Sequence, residues 1–141
     1  MSRINTGRVI IGGLVAGVVL NCIDYVVNGM WLAPQWTAAS AKLGSGLDAM
    51  SGNAVTGYVV ADFILALVIV WLYAAIRPRF GAGAGTAVKA AVAVWLVDAA
   101  LGMTFVMIGM YPGQLMVTSL ACTLVGMLVA AYIGGMIYKE D

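Results

Sequence analysis

Residues 54–76 read AVTGYVVADFILALVIVWLYAAI, an apolar run whose only charged side chain is Asp62. At about 1.5 Å of rise per residue, a helix of this length crosses a hydrocarbon core roughly 30 Å thick. Three further runs of the same kind flank it, from Val9 to Leu32, from Val88 to Met110 and from Leu115 to Tyr138. The whole chain, residues 1–141, is 63% hydrophobic and 9% charged, with a mean hydropathy of +1.02. Soluble domains are only about 45–50% apolar, so the solvent of this chain is lipid. Four spans with short joints use up the length, which predicts an all-α integral membrane four-helix bundle forming one transmembrane domain.

The joints are a polar stretch from Ala33 to Asn53, a Gly/Ala-rich loop from Arg77 to Thr86 and a turn at Tyr111-Pro112-Gly113-Gln114. An even number of spans places both termini on one side. Arg3, Arg8, Arg77, Arg79, Lys89 and Lys139 then share that side and only Lys42 faces the other. Positive charge is retained in the cytoplasm, which predicts cytoplasmic N and C termini. Trp31, Trp36 and Tyr111 fall near the outer interface and Tyr73, Phe80 and Tyr138 near the inner one, where amphipathic rings meet headgroups. The first apolar run exceeds the h-region of a signal peptide, and no A-x-A-like site precedes Pro34. In the outer loop Trp36, Leu43, Leu47 and Met50 recur at helical spacing, which predicts a short interfacial helix on the outer membrane surface. Gly44-Ser45-Gly46 interrupts the pattern and leaves a broken helix or a lid-like loop as the alternative.

Composition removes several functions. A net charge of +1, with no basic run longer than Arg77-Pro78-Arg79, offers no surface for nucleic acid. Histidine is absent, and with it the commonest metal ligand and general base. Cys22 and Cys122 stand far apart inside apolar runs and read as buried thiols. The nine methionines are scattered gap-fillers, and Gly81 to Gly85 lacks the Lys-Ser/Thr ending of a phosphate loop. No cofactor and no metal site is expected.

Three of the six acidic residues, Asp24, Asp62 and Asp98, lie inside spans with no lysine or arginine at comparable depth. Each costs roughly 2.5–3.5 kcal/mol to insert, and such residues usually face the bundle interior, pair, or line a pathway. Counting helical rise puts Asp24 roughly 24 Å above the inner face, Asp62 roughly 14 Å below the outer face and Asp98 roughly 14 Å above the inner face. All three lie from the midplane outward, where one polar pocket can hold them. On the first span Gly13, Gly17, Asn21, Asp24 and Asn28 form one stripe, small toward the cytoplasm and polar toward the outside. Tyr58 lies one turn from Asp62 and is placed to donate to that carboxylate or to a bound ligand. Trp95, Asp98, Gly102 and Gly109 share a face of the third span. Ser119, Thr123, Gly126, Ala130 and Gly134 make an uncharged seam on the fourth that reads as packing, with Thr118 and Cys122 flanking it at pocket depth.

The segments Gly12–Asn21 (GGLVAGVVLN) and Trp71–Gly81 (WLYAAIRPRFG) resemble those of an uncharacterised group of small bacterial four-span membrane proteins. The resemblance spans most of the chain and implies the fold and an acid near the end of the first span, but no activity. By size and span count the chain is also similar to the small multidrug resistance transporters, in which a first-span carboxylate exchanges protons for cationic drugs. Those proteins are shorter and carry a glutamate nearer mid-helix, so the similarity implies a role for Asp24 alone.

These readings predict a membrane binding or transport unit for a proton, a cation or a small cationic or lipophilic ligand, lined by Asp24, Asp62, Asp98, Asn21, Asn28 and Tyr58. The rival reading is a non-catalytic accessory or assembly subunit, a homo-oligomer or part of a larger membrane complex. In it the acids are neutral hydrogen-bond donors to Asn, Tyr, Thr or backbone carbonyls. An intramembrane enzyme acting on lipid or quinone ranks last, because no nucleophile and base pair is present to confirm it.

Overall fold

The computed structural model describes residues 4–44 and 46–139. Arg3 and Ser45 lie outside the described residues. Asn5 opens α1 (Thr6–Asp24), its side chain accepting from the Arg8 N–H at 3.0 Å. The helix runs on without a break into a π-helical stretch, Tyr25–Trp31. A short α2 (Ala33–Ala41) follows, and Ser51 caps α3 (Gly52–Phe80) by accepting from the Ala54 N–H at 3.3 Å. The chain closes with α4 (Ala84–Met107) and α5 (Gly113–Ile137). Four of these segments, Thr6–Trp31, Gly52–Phe80, Ala84–Met107 and Gly113–Ile137, are long and apolar enough to cross a membrane. Among the described residues there is no strand, and the all-α four-helix bundle is the observed architecture.

The joints differ from the sequence expectation in instructive ways. Arg77, Pro78 and Arg79 are not loop: α3 continues through them to Phe80. Pro78 has no N–H to give the Ala74 carbonyl, so the helix passes it with one ladder bond missing. The reversal is confined to Gly81–Gly83, where Gly81 and Gly83 take φ of +83° and +127°, values that side chains disfavour. The Thr86 hydroxyl secures this turn by donating to the Gly81 carbonyl at 2.7 Å. The third span stops at Met107, and Gly109 (φ +77°) turns the chain outside the helix. Pro112, with its fixed φ, caps α5 one residue before Gly113.

The four long helices close a ring in which α1 and α4 each pack on both α3 and α5. Small residues set the tight half. A Cβ on Gly12 would stand 2.9 Å from the Gly134 carbonyl oxygen, and one on Gly13 2.9 Å from Leu67 Cα, so α5 and α3 lie against the backbone of α1. Ala16, Leu20, Ala66, Ile69, Val70 and Met127 fill this half with no exposed surface. At its far end the Asn5 N–H donates to the Tyr138 hydroxyl at 3.2 Å, so both described chain ends share one end of the bundle. Arg77 and Lys89 sit there over the rings of Tyr138 and Phe80, at 5.7 and 5.2 Å. Tyr73 and Tyr138 pack edge to face at 6.1 Å and are 4% and 3% exposed, so their rings are buried within the bundle.

The segment between the first two spans carries the expected short helix, α2, followed by irregular chain, and together they cap one end of the bundle. α2 ends at Ala41, and Gly44 and Gly46, at φ of +106° and +101°, lead into irregular chain that carries Leu47 and Met50. Trp36 turns inward, with its ring 5.2 Å from that of Tyr111. The Ala49 N–H folds back to the buried Ser40 hydroxyl at 3.1 Å. Leu32, Ala39 and Leu115 form a small second core beneath this cap.

Candidate functional site

Between the cap and the tight half lies a cavity of about 330 Å³, lined from α1, its π-helical extension, α3, α4 and α5. The π segment begins immediately after Asp24. Its wider turn is seen where the Leu32 N–H bonds the Val27 carbonyl, five residues back, at 2.8 Å. Such turns are rare and concentrate at functional sites. Here the segment presents Asn28, whose Oδ1 accepts from Trp36 Nε1 at 3.1 Å and from the Ser119 hydroxyl at 2.8 Å. Asn28 therefore ties the cap to α5 through one oxygen.

One turn below, Asp24 accepts from the Thr123 hydroxyl at 3.4 Å and lies within hydrogen-bonding reach of Asp62. Two carboxyl groups bond to one another only when a proton sits between them. Asp62 is 6% exposed and, among the described residues, has the Asp24 carboxyl as its hydrogen-bonding neighbour. Asp98 lines the same cavity from α4, near enough to act electrostatically on both. No lysine or arginine is among the lining residues. The carboxyls do not form a metal-ligand set: among the described residues no group of three or more Cys, Asp or Glu side chains is placed to hold a metal ion.

Asp24, Asp62, Asp98, Asn21, Asn28 and Tyr58 all line the cavity. Their individual contacts depart from the expected ones in part. Asn21 spends its amide on the backbone, donating to the Gly17 and Val59 carbonyls at 2.9 and 3.3 Å, which fastens α1 to α3. Tyr58 is 54% exposed and makes no hydrogen bond to Asp62, although one turn separates them. On α4, Asp98 and Gly102 line the cavity, but Trp95 donates to the Leu120 carbonyl at 2.8 Å and Gly109 lies beyond the helix. Thr118 bonds the Gln114 carbonyl at 2.8 Å and, like Cys122, is not among the lining residues.

Three site residues escaped the sequence reading. Ser119 and Thr123, taken as packing, are the hydroxyl partners of Asn28 and Asp24. Their one-turn spacing on a buried face was a usable signal. Trp36 had none, since its reach depends on how the cap folds.

The fold and site define a four-span membrane bundle with an open-sided, acid-lined cavity that has no basic side chain in its lining. No family model, no curated protein and no solved structure matches the chain.

Proposed function

We propose that this protein is a membrane binding or transport unit whose cavity takes a proton, a cation or a small cationic amphiphile. Asp24, Asp62 and Asp98 supply the charge, and Asn21, Asn28 and Tyr58 are polar neighbours that orient what enters. The observation that carries the reading is three carboxyl groups in one cavity with no basic side chain in its lining. An uncompensated acid in hydrocarbon costs several kcal/mol. A bound cation or proton removes that cost, which is the physical reason to expect one.

The bundle end bearing Arg8, Arg77, Arg79, Lys89 and Lys139 suits the cytoplasmic face of a bacterial inner membrane, with both termini inside. The cavity then opens toward the outer half. The test is thermal unfolding of the purified chain in detergent against pH and added cations. Stability that responds to both, and loses the response in Asp24→Asn and Asp62→Asn, supports the reading. A response that is absent, or that survives both substitutions, overturns it.

A further inference from the structure

A second cavity, of about 400 Å³, lies at the other end of the bundle, between the C-terminal ends of α3 and α5 and the start of α4. Its lining is opposite in charge to that of the first. Arg77 and Lys139 border it, and none of the described acids does. The Arg77 guanidinium is held over the Tyr138 ring, 5.7 Å from its centroid, which keeps a positive charge at the cavity.

Two buried hydroxyls add to that charge. Tyr73 and Tyr138, 4% and 3% exposed, accept from the Gly83 and Asn5 N–H groups, each at 3.2 Å. Accepting leaves the O–H proton of each phenol to donate, and among the described residues no acceptor takes either one. The glycine-rich joint supplies a further donor. Gly83 begins α4 with no side-chain cap, and the N–H of Ala84, a lining residue at the positive end of the helix, also has no acceptor among the described residues. Two cations, two buried O–H groups and an open helix start meet around one space, and the oxygens of a single phosphate satisfy such a set.

Position decides what carries the phosphate. The cavity lies at the ends of three membrane-crossing helices, the depth of the bilayer headgroups. Tyr132 and Met136, one turn apart on α5 and 50% and 56% exposed, border it, so it opens sideways toward acyl chains. Basic pockets between helices at this depth suit anionic headgroups. We propose that this cavity binds the phosphate of an anionic phospholipid, with Arg77, Lys139 and the Tyr73 and Tyr138 hydroxyls on its oxygens and the acyl chains along Tyr132 and Met136. A zwitterionic headgroup brings its own cation into a site that already holds two. The site shares no lining residue with the acid-lined cavity and stands or falls separately from it.

Native mass spectrometry of the delipidated full chain in neutral detergent tests this, titrating short-chain phosphatidylglycerol beside phosphatidylcholine with the same acyl chains, glycerol 3-phosphate and inorganic phosphate. Phosphatidylglycerol is expected to bind at least about tenfold more tightly than any of the others, with a loss of at least about tenfold in Arg77→Gln. Lys89→Gln removes a charge at the same end of the bundle but outside the cavity lining, and is expected to change binding by less than about twofold. Absent binding of phosphatidylglycerol, equal binding of phosphatidylcholine, or equal losses in the two variants overturns the site. If glycerol 3-phosphate or inorganic phosphate binds as tightly as the lipid, a phosphate site stands and its lipid occupant is overturned. The wild-type series decides the matter even if Arg77→Gln fails to fold.

Discussion

Asp62 shares its surroundings with Asp24, and on the proposed function cation and proton compete for the oxygens of both. Lowering the pH fills those oxygens with protons, so cation affinity is expected to fall as pH falls. In Asp62→Asn the pH dependence should flatten, because the competition loses a member; titrations at several pH values read this directly. Asn28 offers a second test at this scale. Its Oδ1 accepts from both Trp36 and Ser119, so Ser119→Ala removes one donor and is expected to destabilise the bundle by about 1 kcal/mol, read by unfolding in mixed micelles. The acids were legible in the sequence because their insertion is costly whatever the neighbours. Which hydroxyls they meet was not, since Ser119 and Thr123 reach Asn28 and Asp24 only through the rotation of α5 about its axis.

Helix against helix, the bundle is set by glycine. A Cβ on Gly13 would lie 2.9 Å from Leu67 Cα, backbone that cannot yield locally. Gly13→Val is therefore expected to cost about 1–3 kcal/mol as α1 and α3 are pushed apart. Gly57, also on α3, meets nothing within 4 Å. Gly57→Ala should instead gain up to about 1 kcal/mol from helix propensity. The two variants, compared by the same unfolding assay, separate close packing from a general effect of glycine. The spans were legible because bilayer thickness dictates their length. Joints are less so: Pro78 signals a stop in water-soluble sequence, yet α3 passes it and leaves the reversal to Gly81 and Gly83. The contacts of the cap were not legible for a related reason, because periodicity finds a helix face but not the Trp36–Asn28 and Ala49–Ser40 bonds.

At the scale of the whole molecule, a tight half and a hollow half divide the bundle, and the basic side chains crowd the tight end. With Cys22 and Cys122 replaced by serine, Lys42→Cys in intact cells is expected to react with a membrane-impermeant thiol reagent while Lys139→Cys reacts only after lysis. The reverse pattern would invert the proposed orientation. Extraction in mild detergent bears on the accessory-subunit alternative, which predicts a stoichiometric larger complex. The most direct test of the central claim, a carboxyl cluster that exchanges protons for cations, is proton release. When a cation that stabilises the protein is added to a weakly buffered sample, the pH should drop in proportion to occupancy, and the drop should vanish in the Asp24→Asn/Asp62→Asn double variant. Saturating cation binding with no proton released, or release undiminished in the double variant, would contradict it.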